Sequence, residues 1–200
     1  MTTRLETFED AVKRSTASTV RTTPAEVSRT VSDLLTGPAV GAALPFDDVS
    51  LEDVPVTFDP TREQLLEAAT GVTGATLGIA AYGTVVLRST AGVDELAALF
   101  PERHVVVVRE RDVVDDMATA FDELAPIFED EAADAILATG PSATADMGAL
   151  VHGVHGPREV HVVIVETDAP ADDETAVGEA NDAVSETTTD DEATEPEEGD

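Results

Sequence analysis

The chain contains no cysteine and no tryptophan, and it has a single tyrosine. Without thiols it cannot form disulfides, a cysteine nucleophile, or a cysteine-ligated zinc or iron–sulfur centre. No apolar run approaches the roughly 20 residues of a transmembrane helix, and residues 1–10 are too polar and acidic for a secretory signal. These absences predict a soluble protein of the cytoplasm with no membrane insertion.

Positive charge is also scarce. The chain has 11 basic and 42 acidic residues, for a formal net charge of −31, and Lys13 is its one lysine. Nucleic acids and anionic membranes bind basic patches, so this balance argues against both as partners. An acidic protein that handles a charged substrate or buffers cations is one interpretation. We favour the other, a halophilic protein in concentrated salt, because about 1 M salt screens charges beyond ~3 Å.

The distribution of residue types divides the chain into three parts. Residues 167–200 are rich in acidic residues and lack basic and aromatic ones, which predicts a disordered tail. Residues 1–36 show amphipathic helical patterns and are predicted to pack on the domain or on a partner. Residues 37–166 have the apolar content of a single folded domain.

Along residues 1–166, apolar runs alternate with helical patterns. The predicted strands are 39–44, 54–58, 75–81, 84–88, 104–108, 134–138 and 160–165. The predicted helices are 2–16, 24–36, 60–69, 112–128 and a short one that ends near Leu150. This order predicts an α/β fold, a Rossmann-like, open, mainly parallel sheet flanked by helices, with one β-hairpin over 75–88.

Two glycine-proline bends form the most informative motif. The first bend, residues 139–142, is a turn rich in hydroxyls that follows the strand 134–138, and the second bend, residues 153–157, precedes the strand 160–165. A strand that ends in such a turn and then starts a helix leaves backbone N–H groups free for an anion. Both bends are expected at the carboxyl ends of strands, in one pocket. The candidate anion-binding residues are Thr139, Gly140, Pro141, Ser142, Thr144, Gly153 and Gly156.

These bends also carry the candidate catalytic side chains. His155 is predicted to transfer a proton or contact substrate, because histidine changes charge near neutral pH; a structural bond to the loop backbone is the alternative. Asp146 is a candidate general base or metal ligand, or an acid that stabilises the first turn of a helix. Ser142 and Thr144 could likewise only cap that helix. His152 and His155 lack a convincing third ligand, so no metal site is predicted.

The motifs also resemble those of a known family. Thr139-Gly140-Pro141-Ser142, the segment 153–157, the hairpin 74–87 and the strand after Pro101 together resemble the LUD domain of the lactate-utilization protein C (LutC/YkgG) family, over about residues 60–166. The resemblance implies a fold similar to the sugar-phosphate isomerase and CoA-transferase group. It adds Gly83 and Thr84 of the hairpin to the candidate ligand contacts, although Gly83 could serve only the turn's backbone angles.

The resemblance implies a role in the oxidation of lactate to pyruvate. The chain would be a subunit or accessory protein that binds a small anionic ligand, has no cofactor of its own, and acts with LutA-like and LutB-like iron–sulfur proteins; it is also a possible homo-oligomer. A free-standing enzyme of the phosphosugar isomerase or CoA-transferase type is an alternative. A non-catalytic regulatory interaction module is another, so whether the chain is an enzyme stays open.

The chain departs from the family pattern at four positions. Ala81 and Tyr82 stand where the family usually has Glu and then Thr or Ser, Ala143 replaces the usual Arg, and Gly148 replaces a residue that is often acidic. A carboxylate is well suited to acid–base chemistry, and a guanidinium is well suited to anion binding. Their joint loss predicts an altered ligand or a non-catalytic member.

Overall fold

The computed structural model describes residues 2–90, 92–130, 134–146, 149–153 and 155–166. These residues belong to one compact unit, Met1–Asp168. The tail predicted to be disordered, 167–200, lies outside the described residues. In the part of the chain that the structure describes, no helix is long and apolar enough to cross a membrane.

The secondary structure alternates between helices and short strands. The helices are α1 (Arg4–Arg14), α2 (Val27–Leu34), α3 (Arg62–Glu67), α4 (Asp94–Leu99) and α5 (Met117–Asp130). The first six strands are β1 (Ser18–Thr22), β2 (Ala39–Gly41), β3 (Thr70–Gly74), β4 (Leu77–Ile79), β5 (Thr84–Ser89) and β6 (Arg103–Arg109). The others are β7 (Val113–Val114), β8 (Asp134–Ala138), β9 (Ala143–Asp146), β10 (Ala149–His152) and β11 (Glu159–Val165).

A five-stranded parallel sheet forms the centre of the fold, in the order β1-β11-β6-β3-β2. Strand β6 is buried on both faces, which is typical of a run of valines at the centre of a parallel sheet. Val105 and Val107 pack with α2 on one face. Val106 and Val108 pack with α1 and with β5 on the other. The predicted mainly parallel sheet flanked by helices is therefore confirmed.

A second, four-stranded sheet of order β7-β4-β5-β8 lies on the α1 face. Alternation along β5 divides its side chains: Val85 and Leu87 join the core shared with the first sheet, and Val86 packs under α5. Strands β4 and β5 form the predicted hairpin, with Gly83 at its end in the left-handed region (φ 65°). Strand β8 pairs antiparallel with β5, and so belongs to this sheet and not to the parallel one.

The N-terminal segment is integrated into this core. Helix α1 begins with a capping box, in which the Thr3 hydroxyl accepts from the Glu6 N–H and the Glu6 carboxylate accepts from the Thr3 N–H. Phe8 is fully buried in the core between the sheets. The next segment is β1, which extends the sheet beyond β11.

Two predicted elements are wrong. The expected helix ending near Leu150 is a two-stranded hairpin, β9 and β10, in which Thr144 lies opposite Val151; β-branched residues favour this extended pairing over a helix. The expected strand over 54–58 is reduced to one bridge between Val40 and Thr57. Val54 and Val56 of that segment instead pack on the face of the sheet that α2 covers.

Three helix boundaries also differ. Thr23 and Glu26 do not cap α2 with a capping box; a turn precedes it and the helix starts at Val27. The cap of α3 is Thr61. The helix expected from 112 begins at Met117, because a 3₁₀ turn (Glu110–Asp112) and β7 occupy the first residues.

Candidate functional site

The two glycine-proline bends meet, as predicted. The Ser142 N–H donates to the Pro157 carbonyl oxygen at 2.8 Å, and the Gly153 N–H donates to the Ser142 carbonyl oxygen at 2.9 Å. The His155 N–H lies 3.4 Å from the Ser142 hydroxyl oxygen, which accepts from it. A β-carbon on Gly156 would lie 3.1 Å from the Ser142 β-carbon. Segments that are more than ten residues apart in sequence therefore form one structural unit.

The bends lie at the amino edge of the parallel sheet, which corrects the expectation of the carboxyl edge. The second bend leads directly into β11, so it precedes the strand's amino end. The first bend follows β8, which lies in the other sheet, and touches the chain just before β1. The prediction was wrong because β8 was assigned to the parallel sheet.

Three backbone N–H groups of the bends, those of Ser142, Gly153 and His155, already have hydrogen-bond partners. The Ser142 and Gly153 N–H groups, which the motif predicted to be free, donate to carbonyl oxygens of the opposite bend. Since a hairpin follows the first bend, there is also no helix there for Ser142 or Thr144 to cap. These bonds fix the bends to each other, and they withdraw the Ser142 and Gly153 N–H groups from anion binding.

The hairpin residues contribute to the scaffold. The Thr84 hydroxyl is buried and lies 2.6 Å from the Thr139 hydroxyl, a hydrogen bond that ties β5 to the end of β8. Gly83 packs against α1, where a β-carbon would lie 2.4 Å from the Val12 nitrogen. Glycine is needed there for its close approach and for its positive φ.

A cleft of about 680 Å³ opens beside the bends at this edge of the sheet. The N-terminal segment lines it with Thr16 and Thr36, and Pro141 and His152 line it from the bend and from β10. Five charged residues complete its polar wall: Glu67 at the end of α3, and Glu102, Arg103, Arg158 and Glu159 before and at the start of two central strands.

The two arginines of the cleft differ in how firmly they are held. Arg103 donates from Nε to Glu159 Oε2 at 2.9 Å, makes a second bond to the same oxygen, and donates from Nη1 to the Leu34 carbonyl oxygen at 2.9 Å. The hydrogen bonds from Arg103 lower the pKa of Glu159. Arg158 is 59% exposed, and its Nη1 lies 3.7 Å from Oε1 of the exposed Glu102.

Gly153 sets the course of the Arg158 side chain. A β-carbon at position 153 would lie 2.0 Å from the Arg158 Cγ, so the aliphatic part of Arg158 runs directly over this glycine. Gly153 also has a φ of 77°, which side chains rarely adopt. The second bend therefore positions a loosely paired guanidinium at the cleft.

A comparison with known families decides where this architecture belongs. The family model of the LUD domain matches residues 42–165, more than half of the chain. The chain belongs to the LUD-domain family. The match begins after α2, so Thr16 and Thr36 are contributed to the cleft by residues outside it.

Named relatives agree with this membership. A lactate utilization protein C from Deinococcus radiodurans is 31% identical over 120 residues, which are 59% of this chain and 54% of that protein. One from Macrococcus caseolyticus is 26% identical over 164 residues, 74% of this chain and 71% of the other. This chain thus spans about half the length of the first relative and just over two thirds of the length of the second.

A solved structure shows the same fold. The crystal structure of a DUF162 family protein from Deinococcus radiodurans, at 1.70 Å resolution, superposes with a TM-score of 0.63 at 22% identity. The match covers 81% of this LUD chain and 96% of that chain. It supports the mixed α/β architecture with its mainly parallel central sheet.

The remaining candidate residues lie around the hairpin β9–β10. Thr144 is exposed on β9, and Asp146 is the last residue of that strand, not part of a helix. Ala143, at the family's usual arginine position, is exposed. Ala81 and Tyr82 are exposed at the end of the hairpin β4–β5. The roles proposed for Asp146 and Thr144 stay predictions.

A further polar pair connects the strands β11 and β1. His161 and Ser18 are neighbours across β11 and β1, and the Ser18 hydroxyl lies 2.7 Å from His161 Nδ1. Burial lowers the pKa of His161, and the nearby Arg103 lowers it further, so the ring is neutral at neutral pH. A serine four residues after the last residue of α1 carries no sequence signal for this pairing.

A second cleft, of about 610 Å³, lies at the opposite, carboxyl edge of the sheet. Residues that follow β2 and β3 line it, with Arg88 of β5 as its basic side chain. Among the described residues, one predicted ligand contact, Pro141, lines the amino-edge cleft, and none lines this second cleft. The motifs therefore direct attention to the amino-edge cleft.

Proposed function

We propose that this LUD-domain protein acts in lactate utilization, as a LutC-like subunit or accessory protein that binds a small carboxylate in the amino-edge cleft. The names of its relatives support the lactate-related role. The observation that carries the binding role is the placement of Arg158 by Gly153 at the edge of that cleft.

The pairing of the two arginines in the cleft favours Arg158 over Arg103 as the binding group. A guanidinium holds a carboxylate with two parallel hydrogen bonds. Arg103 is committed to Glu159 and the Leu34 carbonyl oxygen. Among the described residues, Arg158 has one ion pair, a long and exposed one with Glu102, and an exposed ion pair contributes little stability, at most about 1 kcal/mol. Arg158 can therefore turn from Glu102 to a ligand at low cost.

The proposal assigns the electron transfer of lactate oxidation to other proteins. The chain has no cysteine, so it cannot ligate an iron–sulfur cluster through thiolates. We place it in the cytoplasm, with LutA-like and LutB-like iron–sulfur proteins as partners that take two electrons from lactate. In this arrangement the chain supplies a carboxylate site, and self-association into a homo-oligomer is compatible with it.

Growth on lactate tests this role. A strain that lacks the chain is expected to grow normally on glucose and poorly on L-lactate, and the wild-type gene should restore growth. The variant Arg158→Gln should restore it poorly, whereas Arg62→Gln, on the exposed first turn of α3, should restore it fully. Normal growth of the deletion strain on L-lactate would reject the role. Full rescue by Arg158→Gln would reject this binding group.

A further inference from the structure

Thr16 has an unusual backbone conformation at the cleft. Its φ is 64°, and it is the one non-glycine residue with positive φ in the part of the chain that the structure describes. A β-branched residue in this region is a genuine outlier, because its side chain crowds the backbone. The outlier lies among the residues that line the amino-edge cleft.

The conformation belongs to the end of α1. The Thr16 N–H donates to the Lys13 carbonyl oxygen at 3.0 Å, and the Ala17 N–H donates to the Val12 carbonyl oxygen at 3.2 Å. These two bonds form the Schellman motif that ends many helices, and its left-handed position normally holds glycine. Threonine there costs stability that glycine would not, without any gain to the helix.

The first bend holds this helix end in place. A β-carbon on Gly140 would lie 2.3 Å from the Ser15 carbonyl oxygen, so the bend packs on the residue just before Thr16. The motif glycine thereby fixes the position of Thr16 relative to Pro141 and the cleft. Strained residues that are over-determined in this way concentrate at binding sites.

The Thr16 hydroxyl is available to a ligand. Thr16 is exposed, and its hydroxyl has no hydrogen-bond partner among the residues that the structure describes. The other threonine of the cleft, Thr36, has its hydroxyl 3.2 Å from the Thr70 hydroxyl. Of the two hydroxyls contributed by the N-terminal segment, that of Thr16 is therefore the one that can exchange water for a ligand.

We infer that the Thr16 hydroxyl recognises the 2-hydroxyl group of a small 2-hydroxy carboxylate whose carboxylate is held by Arg158. The inference rests on the proposed function and adds the specificity of its site. A site built to hydrogen-bond a ligand hydroxyl discriminates against the analogue that lacks it. The N-terminal segment, outside the matched LUD residues, would thus determine which carboxylate the cleft selects.

The test compares L-lactate with propionate, which lacks only the hydroxyl. Dissociation constants are measured by isotope-edited NMR titration for the wild type, Thr16→Val, Thr16→Gly and Arg158→Gln. Thr16→Val keeps the branched shape and the strain, and should reduce the preference for lactate over propionate about tenfold. Thr16→Gly should reduce it equally while raising the Tm, since it relieves the strain.

The outcomes separate the two proposals. An unchanged lactate preference in Thr16→Val, with tight lactate binding that Arg158→Gln abolishes, overturns the role of Thr16 and leaves the carboxylate site intact. A wild-type chain that binds neither probe, or an Arg158→Gln variant that binds both normally, overturns the proposed site itself. A Tm for Thr16→Gly at or below that of the wild type overturns the claim that Thr16 is strained.

Discussion

The α-carbon of Gly140 packs so closely against the carbonyl group of Ser15 that no side chain fits at position 140. A β-carbon at position 140 would lie 2.3 Å from that oxygen, and the φ of Gly140 is 66°. Contact and conformation both require glycine here. The first motif bend is therefore attached to the N-terminal helix, and the cleft lies where the two meet.

Replacing Gly140 by alanine should destabilise the protein by about 3 kcal/mol, because strain at positive φ adds to overlap with fixed backbone. Urea unfolding followed by circular dichroism measures the change. Gly92→Ala is the matched control, since its nearest neighbours are the side-chain atoms of Thr90 and Asp94 at 3.1 and 3.3 Å. We expect the control to remain within about 1 kcal/mol of the wild type. Equal effects of the two variants would contradict the packing of Gly140 on Ser15.

Phe8 should be essential to the stability of the whole domain. It is fully buried between the two sheets, so Phe8→Ala should cost about 3–5 kcal/mol of unfolding free energy. Phe121→Ala, at a position that is 56% exposed on α5, should cost less than about 1 kcal/mol. Thermal unfolding of both variants measures the difference. A small loss for Phe8→Ala would mean that α1 is not part of the core.

His104 should make the fold sensitive to acid. Its ring is buried on β6, its Nε2 lies 2.8 Å from the Thr73 hydroxyl, and burial lowers its pKa from 6.5 to about 4. Below pH 6.5, His104 takes up a proton more readily in the unfolded chain than in the folded protein. The free energy of unfolding should therefore fall as the pH drops from 6.5 to about 4. The size of this effect is of the order of 3 kcal/mol.

Urea midpoints across this pH range test the role of His104. In His104→Gln, which cannot take up the proton, the decline should be clearly shallower than in the wild type. Because the carboxylates also titrate towards pH 4, the comparison between the two proteins is the informative quantity. The same decline in both would show that His104 does not contribute to it.

Salt should stabilise the protein. At a net charge of −31, the carboxylates of the chain repel one another. Raising KCl from about 0.1 M to about 1 M shortens the screening length from ~10 Å to ~3 Å. The urea midpoint should therefore rise steadily with KCl, as the halophilic interpretation requires. A midpoint that falls or stays constant over this range would count against that interpretation.

Much of the fold follows from local patterns in the sequence. The valine run of β6 and the Tyr82-Gly83 turn predicted a buried central strand and a hairpin, since those signals lie within a few residues. β3 has no such signal, because it contains two glycines. At Gly71 a β-carbon would lie 1.7 Å from the Ala97 carbonyl oxygen, so the packing of α4 requires glycine there. Only the tertiary structure shows that requirement.

The candidate site was also predictable in part. The sequence motifs led to the meeting of the two bends, which the hydrogen bonds around Ser142 confirm. The predicted location of the bends, at the carboxyl edge of the sheet, was wrong. The residues of β8 do not show which strand it pairs with. The positions of Thr16 and Arg158 depend on contacts with Gly140 and Gly153 across the fold, and neither residue stands in a motif of its own.

A crystal structure of the protein with L-lactate tests the central claim most directly. The account predicts the ligand in the amino-edge cleft, with its carboxylate on the Arg158 guanidinium and its hydroxyl on Thr16. A ligand in the cleft at the carboxyl edge, beside Arg88, would contradict it.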